Sequence, residues 1–219
     1  MFCLILNQPM SDPVNTIDTS GSIQTKLRER MTFFADGLTI NKPWGLGSTT
    51  FIANEDIAGF RFGACDLRGP RFSFGTQYFI EIKTFKSEIF RVKLNSWFGV
   101  KRKVYYSLWA RLLQKLWDHS IAHQLQYYTE LYNIQQAFDL AGVNFYADGI
   151  SWDNGDRLKW EKIAIKTYQN YFMIYHAEEP TQYKCILFSV RWNAVILQSL
   201  LKDIVQEHAK VHRSIRRGL

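Results

Sequence analysis

The chain has 219 residues, of which 47% are hydrophobic and 16% aromatic, and carries a formal net charge of +7. That length accommodates one or two domains, each with its own core, and no window holds the roughly 18 or more consecutive apolar residues of a membrane span. Cys3, Cys65 and Cys185 are few, odd in number and widely spaced, with no CxxC; this argues against a disulfide framework or a cysteine zinc site and for a reducing cytoplasm.

The opening MFCLILNQ is apolar but too short for a span and lacks the basic n-region of a signal peptide. MSDPVNT from Met10 reads as a natural start, so residues 1–21 are expected to be a disordered extension or one with a misassigned start. Charge is uneven beyond it. Residues 1–123 hold 16 Lys/Arg and 10 Asp/Glu, a net +6, whereas 124–219 hold 11 and 10, a net +1. A basic half can attract phosphate-bearing partners or an anionic membrane, against the plainer reading of a solvated basic face.

In chain order, TKLRERM (25–31) alternates Lys26, Arg28 and Arg30, which a strand would place on one face. TFFADGL (32–38) puts Asp36-Gly37 between apolar runs, a hairpin signal in which Gly is expected to supply positive φ. NKPWGLGS (41–48), with Trp44, and GACDLRGPRFSFG (63–75), with Arg68, Arg71, Phe72 and Phe74, read as long Gly/Pro-rich loops. EDIAGFRF (from Glu55), YFIEI (from Tyr78) and EIFRVKL (88–94) read as strands. Trp97 and Phe98 then stand out as exposed-aromatic candidates. Lys101, Arg102 and Lys103 precede a helix whose spaced apolars are Tyr105, Leu108, Leu112 and Leu116. Positive charge at that helix start opposes the dipole, which favours a binding role. Residues 120–137 lack Gly and Pro and continue the helical spacing, so a rigid bridge is expected.

The pattern then recurs. NFYADGI (144–150) repeats the heptad 112 residues on, with Asp148-Gly149 as its turn. EKIAIKTY (from Glu161), YFMIY (from Tyr171) and YKCILF (183–188) follow, and Leu197, Leu201, Ile204 and Val211 mark a last helix. One order twice implies a duplicated domain. Four of the five histidines form i,i+4 pairs, His119/His123 and His208/His212, one near the end of each closing helix. Without a third ligand or HExxH they are weak metal candidates.

The segments Asp148-Gly149-Ile150, Leu158-Lys159-Trp160-Glu161-Lys162-Ile163 and Tyr171-Phe172-Met173-Ile174-Tyr175, followed by a closing helix, resemble bacterial pleckstrin-homology-like (PH-like) domains. The likeness covers roughly 137–211 well and roughly 22–123 less well, because Asn54 stands where the second copy has Trp160. It implies an α+β chain of two tandem PH-like domains, 22–123 and 137–219, joined by a helical bridge at 124–136. Each would be a bent antiparallel sheet or barrel closed by its C-terminal amphipathic helix. Trp160 is expected at the core edge beneath the second helix. Eukaryotic PH domains often bind phosphoinositides around the first hairpin. Here that turn is tight and contributes a carboxylate, so Asp36 and Asp148 read as turn residues and that place offers no phosphate cradle.

No GxSxG, Walker loop or GxGxxG occurs, so neither an enzyme nor a cofactor is expected. The residues point instead to an interaction or scaffold module that binds a protein or peptide through loops and sheet edge of the first domain. The alternative is a peripheral binder of anionic membrane or phosphate ligands using the basic half. Nucleic acid ranks lower, since no RNP-like or helix-turn-helix signature is present.

Overall fold

A computed structural model describes residues 15–18, 30–41, 49–153 and 155–217 of the chain. The protein is α+β, with antiparallel sheets. β1 (Asn15–Asp18), β2 (Arg30–Phe33), β3 (Gly37–Asn41) and β4 (Thr50–Ala53) form one four-stranded meander. A 3-10 turn at Asn54–Asp56 leads into β5 (Ile57–Arg68), β6 (Ser73–Thr84) and β7 (Ile89–Trp97), a three-stranded meander. α1 (Arg102–Leu116) follows. A π turn at Trp117–Ile121 then joins it to α2 (Ala122–Asn133).

The same sequence of elements then runs again. β8 (Phe138–Leu140), β9 (Val143–Tyr146), β10 (Gly149–Ser151) and β11 (Leu158–Lys159) make a four-stranded sheet. A 3-10 turn at Trp160–Lys162 precedes β12 (Ile163–Thr167), β13 (Tyr171–His176) and β14 (Tyr183–Leu187), and α3 (Ala194–Arg217) follows. Among the described residues the strands make four separate sheets, not a closed barrel. The 3-10 turns are where each half breaks between its sheets.

β1 lies within the stretch 1–21 expected to be a disordered extension or one with a misassigned start, and it pairs with β2. Two further expectations need correction. Gly63–Gly75 is not a loop: β5 runs on to Arg68 and β6 begins at Ser73, so only Gly69–Phe72 turns. Alternating residues along both strands found partners, and register holds from Gly59 to Leu67. Of the other expected loop, 41–48, Asn41 ends β3, and residues 42–48, with Trp44, lie outside the described residues.

The second correction concerns the Asp-Gly turns. Neither Gly37 nor Gly149 lies in the left-handed region. The two-residue loop is Ala-Asp, with Phe34 N–H donating to Gly37 O in the first copy and Gly149 pairing with Tyr146 in the second. Glycine is required instead because the neighbouring strand passes too close for a Cβ. One at Gly37 would meet Ile52 O at 2.3 Å, and one at Gly149 would meet Leu158 O at 2.1 Å.

The core is built from alternate strand residues and one stripe of each helix. Phe33, Leu38, Phe60, Ile80, Ile82, Leu112 and Leu116 fill the first half; Phe145, Ile150, Phe172, Ile174, Leu197 and Leu201 fill the second. Trp160 and Asn54 occupy matching places and do matching work. The Trp160 Nε1–H donates to Ala147 O (3.1 Å), and the Asn54 Nδ2–H donates to Ala35 O (3.2 Å). Each ties the hairpin loop to the 3-10 turn. Behind them the contacts differ. Ser120 of the π turn donates to Asn54 Oδ1 (2.7 Å), whereas Trp160 lies flat on His208 of α3 and edge-on to Tyr132 of α2. Tyr132 also hydrogen-bonds His208 (3.0 Å), and burial, aided by Glu207, raises the pKa of its hydroxyl.

Trp160 is 2% exposed. Trp160→Ala removes the indole packing and the bond to the turn, and is expected to cost about 3–5 kcal/mol in urea unfolding. A loss below about 1 kcal/mol would show that α2 and α3 close over the gap without it.

Candidate functional site

Edge strands leave a row of unpaired N–H and C=O groups, and β5 is the edge of its sheet. Its inner half is completed by the second half of the chain. Phe62 N–H donates to Phe188 O (3.2 Å) and Asn193 N–H to Phe60 O (2.8 Å). The Asn193 side chain acts as one more strand residue. Its Oδ1 accepts from Phe60 N–H (2.9 Å) and its Nδ2–H donates to Ala58 O (3.0 Å). Asn193 adopts a left-handed backbone (φ 60°) to reach this position, a conformation Asn tolerates better than most residues. Phe62 and Phe188 stack in parallel beside it, with centroids 5.9 Å apart.

Beyond Phe62 the partner segment turns away. The groups of residues 58, 60 and 62 point to this edge, and strand alternation places those of Ala64 and Asp66 there as well. No strand among the described residues pairs with them. A cleft of about 1050 Å³ opens at this point. Its floor is aromatic: Tyr78, Tyr106 and Trp109 lie with centroids 5.7–6.0 Å apart, and Phe62 meets Trp109 edge-on. The Trp109 ring is fixed by its Nε1–H donating to Phe79 O (3.1 Å). Arg102 and Lys103 stand at the mouth, and Gln169, Asn170 and Ser189 of the second half form the far wall.

Arg102 and Lys103 begin α1 behind Lys101, an N-cap in left-handed conformation (φ 56°) whose side chain makes no capping bond. Three cations at a helix N-terminus oppose its dipole, at about 0.3–1 kcal/mol each. Apolar chemistry below and positive charge above suit an extended peptide with an apolar side chain and a neighbouring carboxylate.

The remaining sequence candidates fall in three groups. Arg68, Arg71, Phe72, Trp97, Phe98 and Lys101 come together at the far end of the β5–β6 hairpin, where Phe98 N–H donates to Phe74 O and the rings of Phe72, Phe74 and Phe98 touch in series. Arg30 begins β2, paired with Asp18 and Asn41; Lys26 and Arg28 lie outside the described residues. The structural residues Asp36, Gly37, Asp148 and Gly149 are at the hairpin positions described above, Trp160 is in the 3-10 turn tied to the second hairpin, and Asp148 accepts from Arg157 (2.8 Å).

The histidines do not converge. His119 stacks on Phe33 and His208 on Trp160. The π turn interrupts the α-helical register between His119 and His123, and the side chain of His212 lies outside the description. Among the described residues no three His, Cys, Asp or Glu side chains are grouped to hold a metal. No described helix is long and apolar enough to cross a membrane.

Sequence reasoning missed the cleft's floor and Asn193. Tyr106 and Trp109 flank the apolar stripe that marks α1, so they read as its margin. Asn193 stands directly before α3, outside every stretch whose periodicity or composition marked it. Compared with known proteins, the chain matches no protein-family model and no curated protein.

Asn193 is 7% exposed. Asn193→Ala leaves Phe60 N–H and Ala58 O without partners and strains the backbone, so a loss of about 2–4 kcal/mol is expected by urea unfolding. Asn193→Gly should recover only the backbone part, about 1 kcal/mol. Equal stability of the Gly variant and the parent would mean that the side-chain bonds contribute nothing.

Proposed function

We propose that the chain is a pair of PH-like domains whose first copy binds an extended segment of a protein partner, with no chemical step. The peptide adds as a strand to the open part of β5, at Ala64 and Asp66. Its inward side chain rests on Tyr78, Tyr106 and Trp109, and an acidic residue beside it meets Arg102 and Lys103.

The observation that carries this reading is the half-completed edge. The chain already supplies a surrogate strand to residues 58–62, through Phe188 and Asn193, and the next two outward positions face a cleft large enough for a peptide. Main-chain bonds at such an edge give affinity, and alternate side chains in flanking pockets give specificity. The tandem assignment is supported by the recurring order of four strands, three strands and helix, and by the matching turns at Asp36-Gly37 and Asp148-Gly149. The second copy acts as a wall and brace.

A displayed library of random linear peptides panned on the full chain tests this. Selected sequences are expected to combine an aromatic or large aliphatic residue with an acidic one. Ala64→Pro removes only an outward-facing N–H and should weaken the selected peptides at least about tenfold, while Ala64→Val leaves the backbone bonds available. Peptides that bind the Pro variant as tightly as the parent would refute strand addition.

A further inference from the structure

The far end of the β5–β6 hairpin presents a second surface. Two stretches distant in sequence meet there: the start of β6, whose Phe74 touches Phe72 of the turn, and the segment from Trp97 into α1, whose Phe98 touches Phe74. Phe72 is 59% exposed, Trp97 51%, Phe98 74% and Val100 63%. None of the four lines the cleft. Phe98 moreover holds a left-handed backbone (φ 50°), which bulky residues adopt only against a steric penalty. The fold thus keeps a large apolar side chain in water, on strained backbone, with no core contact to account for it.

Beside this aromatic point stand the exposed cations Arg68, Arg71 and Lys101; Arg102 and Lys103, which line the cleft, follow Lys101 in sequence. Within residues 66–74 and 97–104 the single carboxylate is Asp66, and it is paired with Arg68 (3.1 Å).

We propose that this tip docks on an anionic lipid bilayer. The rings of Phe72, Trp97 and Phe98 enter the boundary between headgroups and acyl chains, and the cations meet the lipid phosphates and carboxylates above it. Charge and shape together select this occupant. A basic surface alone would suit any polyanion, and an aromatic patch alone would suit a protein. Binding hot spots on proteins are commonly filled pockets, whereas these rings stand outside the cleft at the end of a sheet. Aromatic residues at the point and Lys/Arg just behind it match a layer that is apolar inside and negative at its surface.

The test uses the full chain with phosphatidylcholine vesicles, and with the same vesicles containing about 30% phosphatidylserine. Binding to the anionic vesicles is expected to be at least about tenfold tighter and to weaken steeply between about 50 and 500 mM salt. Phe72→Ser combined with Phe98→Asn, where Asn accepts the left-handed backbone, should reduce it at least about tenfold with the thermal midpoint retained. Arg71→Glu and Lys101→Glu should each reduce it roughly fivefold or more; they serve as independent variants should the aromatic pair impair folding. Brominated acyl chains should quench tryptophan emission in the parent and much less in Trp97→Phe. Ala64→Pro should bind vesicles as the parent does, which keeps this result separate from that of the peptide site. Equal binding to both vesicle types, no binding at low salt, or full binding by the aromatic double variant would overturn the proposal.

Discussion

The hydrogen bonds that Phe188 and Asn193 make to β5 fix how the two halves of the chain meet. A sheet edge has direction and register, so satisfying it with four bonds determines position along the strand as well as contact. Apolar burial alone would tolerate sliding. Around this seam the remaining contacts fall into place. Arg61 packs over the Trp192 ring and is ion-paired to Glu81, and Phe188 is sandwiched between Phe62 and Phe172. α2 reinforces the arrangement from the other side, reaching Ile57 O through Gln124 and His208 through Tyr132. The helical bridge and the seam thus hold the same two bodies at separate places.

The two halves share an order of elements but differ in one dimension. From Glu55 to Tyr78 the first copy uses 23 residues, and from Glu161 to Tyr171 the second uses 10. The extra length makes β5 and β6 12 residues each, against 5 in β12 and 6 in β13. Thirteen added residues built into paired strands form a rigid arm; the same number in a loop would hold no fixed edge. The arm supplies both the open groups at Ala64 and Asp66 and the aromatic end. The second copy, whose hairpin closes quickly through Tyr168 and Tyr171, has no counterpart of either.

Much of this was legible in the sequence where periodicity was strong. The strands at 78–82 and 88–94, the stripe of α1 and the matched turns all follow from alternation or helical spacing. The arm was not. Gly63, Gly69, Pro70 and Gly75 read as loop residues, yet Gly63 and Gly75 lie within strands that approach other groups closely: Gly63 faces Ser189 and Gly75 faces Ser96 O. Composition reports that a side chain is missing, not whether a turn or a close neighbour requires it. The same ambiguity misassigned the reason for Gly37 and Gly149. Site residues divided likewise. The aromatic and basic candidates were visible as unusual composition, and the fold gathered most of them at one end. Asn193 was invisible because its partners on β5, Phe60 and Ala58, lie 133 and 135 residues away, and nothing local distinguishes an Asn that caps a helix from one that completes a sheet.

An open, partly apolar strand edge ordinarily invites pairing between copies, which leads to aggregation. Here the surroundings restrict what can enter. The exposed stretch is short, because Phe188 and Asn193 cover its inner end and the bulge at Leu67–Arg68 disrupts its outer end. α1 stands on one side of it and Gln169, Asn170 and Ser189 on the other. A second copy's sheet would bring a neighbouring strand and its side chains into those walls, whereas a single extended chain brings neither. Arg102 and Lys103 at the mouth, and their equivalents in any second copy, add repulsion between copies while attracting an acidic segment. Geometry and charge therefore act in the same sense: both disfavour pairing of this edge with the same edge of a second copy.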